Sequence, residues 1–317
     1  MGGFYGVLLA RSGNDVSAVA RGTTLEALRA NGWRLEMAGE TLVEQVEAAA
    51  EPRDLGPQDL VIVAVKTTAL SQVAQRIGPL LGPDTVVLTA MNGVPWWFFD
   101  GFGASFAGMR LRTVDPDGVI AEHIPTRHVV GGVVHGSYAV VEPGVVRHVA
   151  GKRLIIGELG GAATERVRGL EEAFTRAGLQ VEVSPSIQSE IWYKLWGNMT
   201  MNPISALTGA TCDRILDDTL VNRFCLDIMA EAARIGAKIG CPIEQSGEDR
   251  NAMTRELGAF KTSMLRDVEA GRSIELDALV AVVREIAGAV GEPTPSIDTL
   301  LGLVRLHARV RGLYPEQ

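Results

Sequence analysis

Cysteine is scarce: Cys212, Cys225 and Cys241 are an odd number without metal-ligand spacing, all in the second half of the chain. That leaves no even set for a disulfide framework and no thiolate metal site, and it suits reduced thiols in a cytoplasmic protein. Histidine is equally sparse. The five residues, His123, His128, His135, His148 and His307, form no pair at metal-ligand spacing, so no metal site is legible. Positive charge is in deficit, with Lys+Arg 30 against Asp+Glu 38 and a net charge of -8, which argues against a nucleic-acid partner and its need for a basic face. No apolar run reaches the roughly 20 residues of a membrane span. Internal repeats, low-complexity segments and heptad runs are also missing. What is present is an ordinary globular balance, 317 residues with 46% hydrophobic and 21% charged, enough for about two domains.

The stretch from Ser189 to Gly209 stands out. Ile191, Leu195 and Met199 recur every four residues and predict one buried stripe of a helix. Lys194, Asn198 and Asn202 recur at the same spacing and form a second stripe, flanked by Trp192, Trp196 and Met201. A surface helix would carry Glu and Lys there, whereas one ammonium with two carboxamides needs partners if it faces inward. Pro203 follows, lacks an N–H and disfavours helical backbone at Asn202, so a kink or pause is expected. The stripe is expected to be a substrate-binding wall.

The chain opens with helical character over Gly2–Arg11, a stop at Ser12-Gly13-Asn14 and a short strand over Asp15–Ala20. This is the later part of a β-α-β unit whose first strand is missing, with Gly2 standing as the third glycine of a G-x-G-x-x-G phosphate fingerprint. About ten further strand-like residues ending in Gly-x-Gly-x are therefore expected ahead of Met1. After the second strand an NAD enzyme carries Asp or Glu, but this chain has Ala20-Arg21-Gly22. A guanidinium there suits a 2′-phosphate, which points to NADP(H).

Further on, Thr23–Gly32 reads as a helix and Trp33–Val46 as two strands turning about Ala38-Gly39. Asp59–Lys66 and Thr85–Val94 are near-continuous apolar runs of buried parallel strands. They end at Lys66 and at Asn92-Gly93, where an open α/β sheet places its ligands. Trp96-Trp97-Phe98-Phe99 reads mainly as core. Val129–Val149 reads as strands with turns at His135-Gly136 and Glu142-Pro143-Gly144, and Arg153–Glu158 as a further strand. Thr164–Ala177 is a helix and Gln180–Val183 a last strand. Beyond Ile187 the pattern is helical, over Arg214–Ile239, Gln245–Ala270, Ile274–Val290 and Thr299–Val310. Within it Lys261-Thr262-Ser263-Met264, Asp267, Arg272 and Glu275 stand out. The expected architecture is α/β, with a dinucleotide-binding domain over 1–186 and an all-α domain over 187–317.

These residues together resemble the ketopantoate reductase (2-dehydropantoate 2-reductase) family over essentially the whole chain. The matching pieces are Gly2-Gly3, Arg21, Ala64-Val65-Lys66, Asn92-Gly93-Val94, Trp192-Tyr193-Lys194, Asn198, Asn202-Pro203, Lys261 to Met264 and Glu275-Leu276-Asp277. The resemblance implies a Rossmann-type domain, NADPH, and reduction of a small oxo acid. It implies that Lys194 is the general acid that protonates the ketone oxygen and Glu275 its carboxylate partner. It implies that Asn198, Asn202 and Ser263 contact the substrate's hydroxyl and carboxylate, and that Asn92 and Lys66 lie where cofactor and substrate meet. Gly2 and Arg21 fall on the cofactor side; a homodimer is compatible with the sequence, which does not give the oligomeric state. The absent first strand and fingerprint glycines, with Trp96–Phe99 and His135–Tyr138, keep two alternatives open: a relative acting on another oxo acid, and a non-catalytic NADP-binding protein.

If Arg21 meets the 2′-phosphate, Arg21→Ala weakens NADPH by about 1.5–3 kcal/mol and leaves NADH nearly unchanged. Dissociation constants for the two cofactors check this; equal losses would remove Arg21 from the phosphate.

Overall fold

Glycines are poor helix formers, yet α1 (Gly2–Arg11) contains three of them. The computed structural model, which describes residues 1–102 and 105–316, gives the reason. A Cβ on Gly3 would lie 2.6 Å from Nε1 of Trp33, and one on Gly6 would lie 2.5 Å from Cζ3 of the same ring. The helix is bare on one side so that the indole can lie against its backbone.

After α1 come β1 (Ser17–Val19), α2 (Gly22–Asn31), β2 (Trp33–Met37), β3 (Glu40–Glu44), β4 (Glu47–Ala49) and β5 (Gln58–Val63). They are followed by α3 (Thr67–Ile77), β6 (Leu81–Ala90), α4 (Val119–His123), β7 (Val129–Glu142), β8 (Val145–Gly157), α5 (Glu165–Arg176) and β9 (Gln180–Val183). The main sheet has seven strands in the order β3-β2-β8-β7-β6-β5, with β9 also on β8. Pairing is parallel for β2–β8, β5–β6, β6–β7 and β8–β9, and antiparallel for β2–β3 and β7–β8. β1 lies outside this sheet and pairs in parallel with β4. The three-residue β4 is too short to show a period in the sequence.

Two expected breaks in the strands do not occur. His135-Gly136 is no turn: β7 runs through it with shifted register, and Gly136 has no room for a Cβ, which would fall 2.1 Å from the Tyr138 hydroxyl. Arg153–Glu158 is likewise no separate strand but the end of β8. A bulge bends this hairpin where glycine allows it, and a composition rich in glycine imitates a turn.

The helical elements are α6 (Ile187–Thr208), α7 (Cys212–Asp217), α8 (Thr219–Ile239), α9 (Gly247–Arg255), α10 (Ser263–Glu269), α11 (Val282–Val290) and α12 (Pro295–Arg309). A π-helical turn over Asp277–Ala281 leads into α11. α6 continues through Pro203 rather than pausing there. Side-chain caps explain the boundaries that periodicity missed. Asp218 accepts from the N–H of Leu220 and Val221 and so opens α8, and Thr262 accepts from Leu265 and opens α10. The span Gln245–Ala270 is thus two helices, divided at Gly258 with φ +64°. α12 begins four residues earlier than its apolar pattern, because buried Glu231 accepts from the N–H groups of Ser296 and Ile297.

By internal contacts the chain divides into two compact units. One holds Met1–Val65, Ala69–Met91 and Val119–Ile187; the other holds Lys66–Thr68, Asn92–Gly118 and Gln188–Gln317. Two segments inside 1–186 therefore pack with the helices. The sheet unit has a core on one face of its strands built from Phe4, Tyr5, Leu35, Leu88, Leu154 and Phe174, all buried.

Gly6→Ala should lower stability by about 1–2 kcal/mol, because overpacking against Trp33 outweighs the gain in helix propensity. Urea unfolding checks this, and a raised midpoint would show that the close approach is dispensable.

Candidate active site

The position of Lys194 is set by what holds α6. Ile191, Leu195 and Met199 are buried as the spacing predicts. Trp192 donates from Nε1 to the carbonyl of Ala232 at 3.2 Å, and Trp196 to that of Met229 at 2.8 Å. Gly236 faces Trp192, where a Cβ would lie 2.3 Å from the indole nitrogen. These contacts tie α6 to α8 and fix the direction of the polar stripe.

Lys194 is half-buried and donates from Nζ to Oδ1 of Asn92 at 2.8 Å. Burial lowers its pKa to about 8, while the charge of Glu275 pulls the other way. Asn92 sits in the segment that follows β6, and this segment is clamped. Val94 N–H donates to the carbonyl of Ala278 at 2.9 Å, in the π-helical turn. Gly93 has φ +82°, and a Cβ there would lie 2.3 Å from the same carbonyl oxygen. Only glycine fits. A π turn widens the helix and turns a carbonyl toward a partner, which here is the Asn92 loop.

Glu275 stands just before that turn. Its Oε1 accepts from the backbone N–H of Thr67 at 2.9 Å and from the Thr67 hydroxyl at 3.2 Å. Burial raises its pKa, opposed by Thr67 and by the charge of Lys66. Lys66 pairs with Asp267 of α10 at 2.6 Å and donates to the Ser273 carbonyl at 3.4 Å. Asp267 also accepts from Nε of Arg272 at 3.1 Å. Segment 66–68 is thereby fastened along one edge of the site.

The structure joins Lys194 to Asn92, places Glu275 close enough to act on its charge, and sets Lys66 beside Glu275. Asn198 is half-buried and Asn202 only 6% exposed, one and two turns along α6. Ser263 stands exposed at the first position of α10, and among the described residues no hydrogen bond ties it to Lys194 or Glu275. Thr67 was not legible as a site residue, and neither was the Ala278 carbonyl. The one signal for Thr67 was its place after a buried strand ending in Lys66. The run Trp96–Phe99 is buried throughout, with Phe98 against Trp192 at 6.1 Å. Among the described residues no group of His, Cys, Asp and Glu is placed to hold a metal ion.

In the sheet unit Gly2 opens α1 and lies beside Ala64, at the carboxyl end of β5, with 3.6 Å between a Cβ there and that of Ala64. Arg21 is exposed at the N-cap of α2; the pKa of Glu51 is lowered first by its hydrogen bond to Arg76, and least by the charge of Arg21. A helix N-terminus at Gly2 and an exposed guanidinium after β1 are the groups a dinucleotide carrying a 2′-phosphate would need.

Residues 1–99 match the family described as Ketopantoate reductase PanE/ApbA, and residues 186–308 match its C-terminal counterpart, Ketopantoate reductase PanE/ApbA C terminal. The chain belongs to the ketopantoate reductase family. A 2-dehydropantoate 2-reductase of Mesorhizobium japonicum is 46% identical over 315 residues, covering 99% of this chain and 97% of its own. A Ralstonia solanacearum crystal structure, assigned provisionally as a ketopantoate reductase, is 60% identical with TM-score 0.96, covering 99% of this chain and 96% of that one. The 2-dehydropantoate 2-reductase of Geobacter metallireducens is 27% identical with TM-score 0.84, covering 96% and 95%. The family and the α/β fold expected from the sequence therefore hold.

Lys194 should titrate near pH 8, and Glu275→Gln should move it lower by removing the carboxylate that favours the ammonium. Lysine side-chain NMR reads both. An unperturbed titration in the wild type, or a rise in the variant, would contradict this account of the site.

Proposed function

We propose that the chain reduces the ketone of 2-dehydropantoate to pantoate with NADPH. The observation that carries this reading is Lys194, a half-buried ammonium with a pKa near 8 that is aimed by Asn92 and steadied by Glu275. NADPH, when bound, supplies the hydride. The N-terminus of α1 at Gly2 would hold its pyrophosphate and Arg21 its 2′-phosphate. Lys66 and Asn92 would mark the edge where cofactor and substrate meet. In this reading 1–186 is the cofactor domain and 187–317 the substrate domain.

Reduction builds negative charge on the ketone oxygen. Lys194 stabilises that charge and delivers the proton from Nζ. Its lowered pKa matters because a donor titrating near working pH gives up its proton readily. Glu275 keeps enough of the lysine charged, and Asn92 holds Nζ in one direction. Asn198, Asn202 and Ser263 hold the substrate's hydroxyl and carboxylate. Charge on the basic side of pH 8 is lost from Lys194, so reduction slows as pH rises through that value.

The three cysteines are free and buried, in keeping with a reducing cytoplasm. Among the described residues no helix is long and apolar enough to cross a membrane. Exposed Leu303 and Leu306 on α12, with Val310 at its C-cap, offer an apolar face for a homodimer.

Lys194→Ala should slow hydride transfer by about 10²–10⁴, with little change in NADPH affinity. Single-turnover decay of NADPH absorbance with saturating substrate measures it. An unchanged rate would end the general-acid role, whereas a raised KM with turnover kept would make Lys194 a substrate-charge partner instead.

A further inference from the structure

Tyr314 lies in the segment that follows α12, yet it bonds to the stretch that carries Glu275. Its hydroxyl donates to Oδ1 of Asp277 at 2.5 Å. The carbonyl of Leu313 beside it accepts from the backbone N–H of Ile274 at 3.1 Å. The two bonds fall on either side of Glu275, so one short segment brackets the carboxylate that steadies Lys194.

That segment is itself held. Gly312 ends the helix with φ +66°, and the N–H of Leu313 donates back to the carbonyl of Ala308 at 2.8 Å. The Leu313 side chain is buried. Arg309 donates from Nε to the carbonyl of Pro315 at 2.9 Å, and its guanidinium lies 5.7 Å from the centre of the Tyr314 ring. Burial raises the pKa of the Tyr314 hydroxyl, which keeps it a donor at neutral pH. Burial also raises the pKa of Asp277, and the Tyr314 bond with the charge of Arg305 opposes it.

Asp277 is the first residue of the π turn. Such turns are rare and favour functional sites, and this one is gripped from two directions. Tyr314 takes its start, and Val94 donates to the carbonyl of Ala278, the next residue, at 2.9 Å. The second grip sets the loop of Asn92, which accepts from Nζ of Lys194 at 2.8 Å. Glu275 and Asn92 both act on Lys194, and both are seated on a turn that Tyr314 pins.

We infer that Tyr314 is a positioning residue: through Asp277 it holds the π turn so that Glu275 and Asn92 meet Lys194 in the geometry proton delivery needs. Its part in turnover rests on the reduction proposed above.

Tyr314→Phe keeps the ring and removes only the donor. With the turn loosened, Glu275 and Asn92 favour the ammonium less. The Lys194 titration, near pH 8 in the wild type, should therefore move lower, as read by lysine side-chain NMR. Single-turnover hydride transfer should slow about 10-fold, the effect of a small misplacement. KM for 2-dehydropantoate and the NADPH Kd should stay within about twofold. Asp277→Asn, which keeps an acceptor oxygen, should slow the step less than Asp277→Ala. Adding Tyr314→Phe to Asp277→Ala should cost nothing further. An unshifted or raised Lys194 titration in Tyr314→Phe would overturn the inference and leave Tyr314 a tie for stability alone, whatever happens to the unfolding midpoint. Fully additive losses would also overturn it, since the effect would not run through Asp277. Asp277→Ala gives the same readings if Tyr314→Phe does not fold. If the wild type reduces no oxo acid, the proposed activity fails by itself, and the Lys194 titration still decides Tyr314.

Discussion

Half-burying an ammonium is the constraint that the helical unit is built around. Burial removes water from Lys194 and drives its pKa down, and left alone the group would shed its proton or turn outward. Asn92 accepts from Nζ, and Glu275 supplies opposite charge. Each of these depends on another contact. Asn92 depends on Gly93 and on the Ala278 carbonyl, which a π turn presents. Glu275 depends on Thr67, whose N–H and hydroxyl hold one carboxylate oxygen. The opposing effects leave a donor with a pKa of about 8.

The charges around that donor are arranged in pairs that limit one another. Glu275 is itself raised by burial and lowered by Thr67 and Lys66, so the ammonium of Lys66 helps keep it ionised. Lys66 is in turn held by Asp267, which Arg272 shares. Moving Lys66 or Thr67 changes what offsets the burial of Glu275, and moving Glu275 changes the charge that Lys194 feels. The network is local electrostatics built on backbone geometry, and no single residue in it can be assigned a separate free energy.

Much of this was legible in the sequence because it obeys a short period. Lys194, Asn198 and Asn202 follow helix spacing, and Lys66 and Asn92 mark the ends of continuous apolar strands. Contacts between distant residues were not legible. Thr67 and Glu275 are 208 positions apart, and nothing in either neighbourhood announces the other. The π turn leaves no periodic trace over five residues. Bulged β7 passed for a turn because glycine serves both uses. The helix boundaries at Asp218 and Thr262 were carried by caps, a signal present in the sequence but overrun by the apolar pattern.

The excursions of residues 66–68 and 92–118 into the helical unit mean that the backbone passes between the two units five times. Neither unit is therefore a cassette. A hybrid gene joined at a single point near residue 187 would draw Lys66, Thr67 and Asn92 from one parent, and Lys194 and Glu275 from the other. Where the two parents present these groups differently, the hybrid would meet an ammonium from one with an acceptor from the other, even though both halves looked intact.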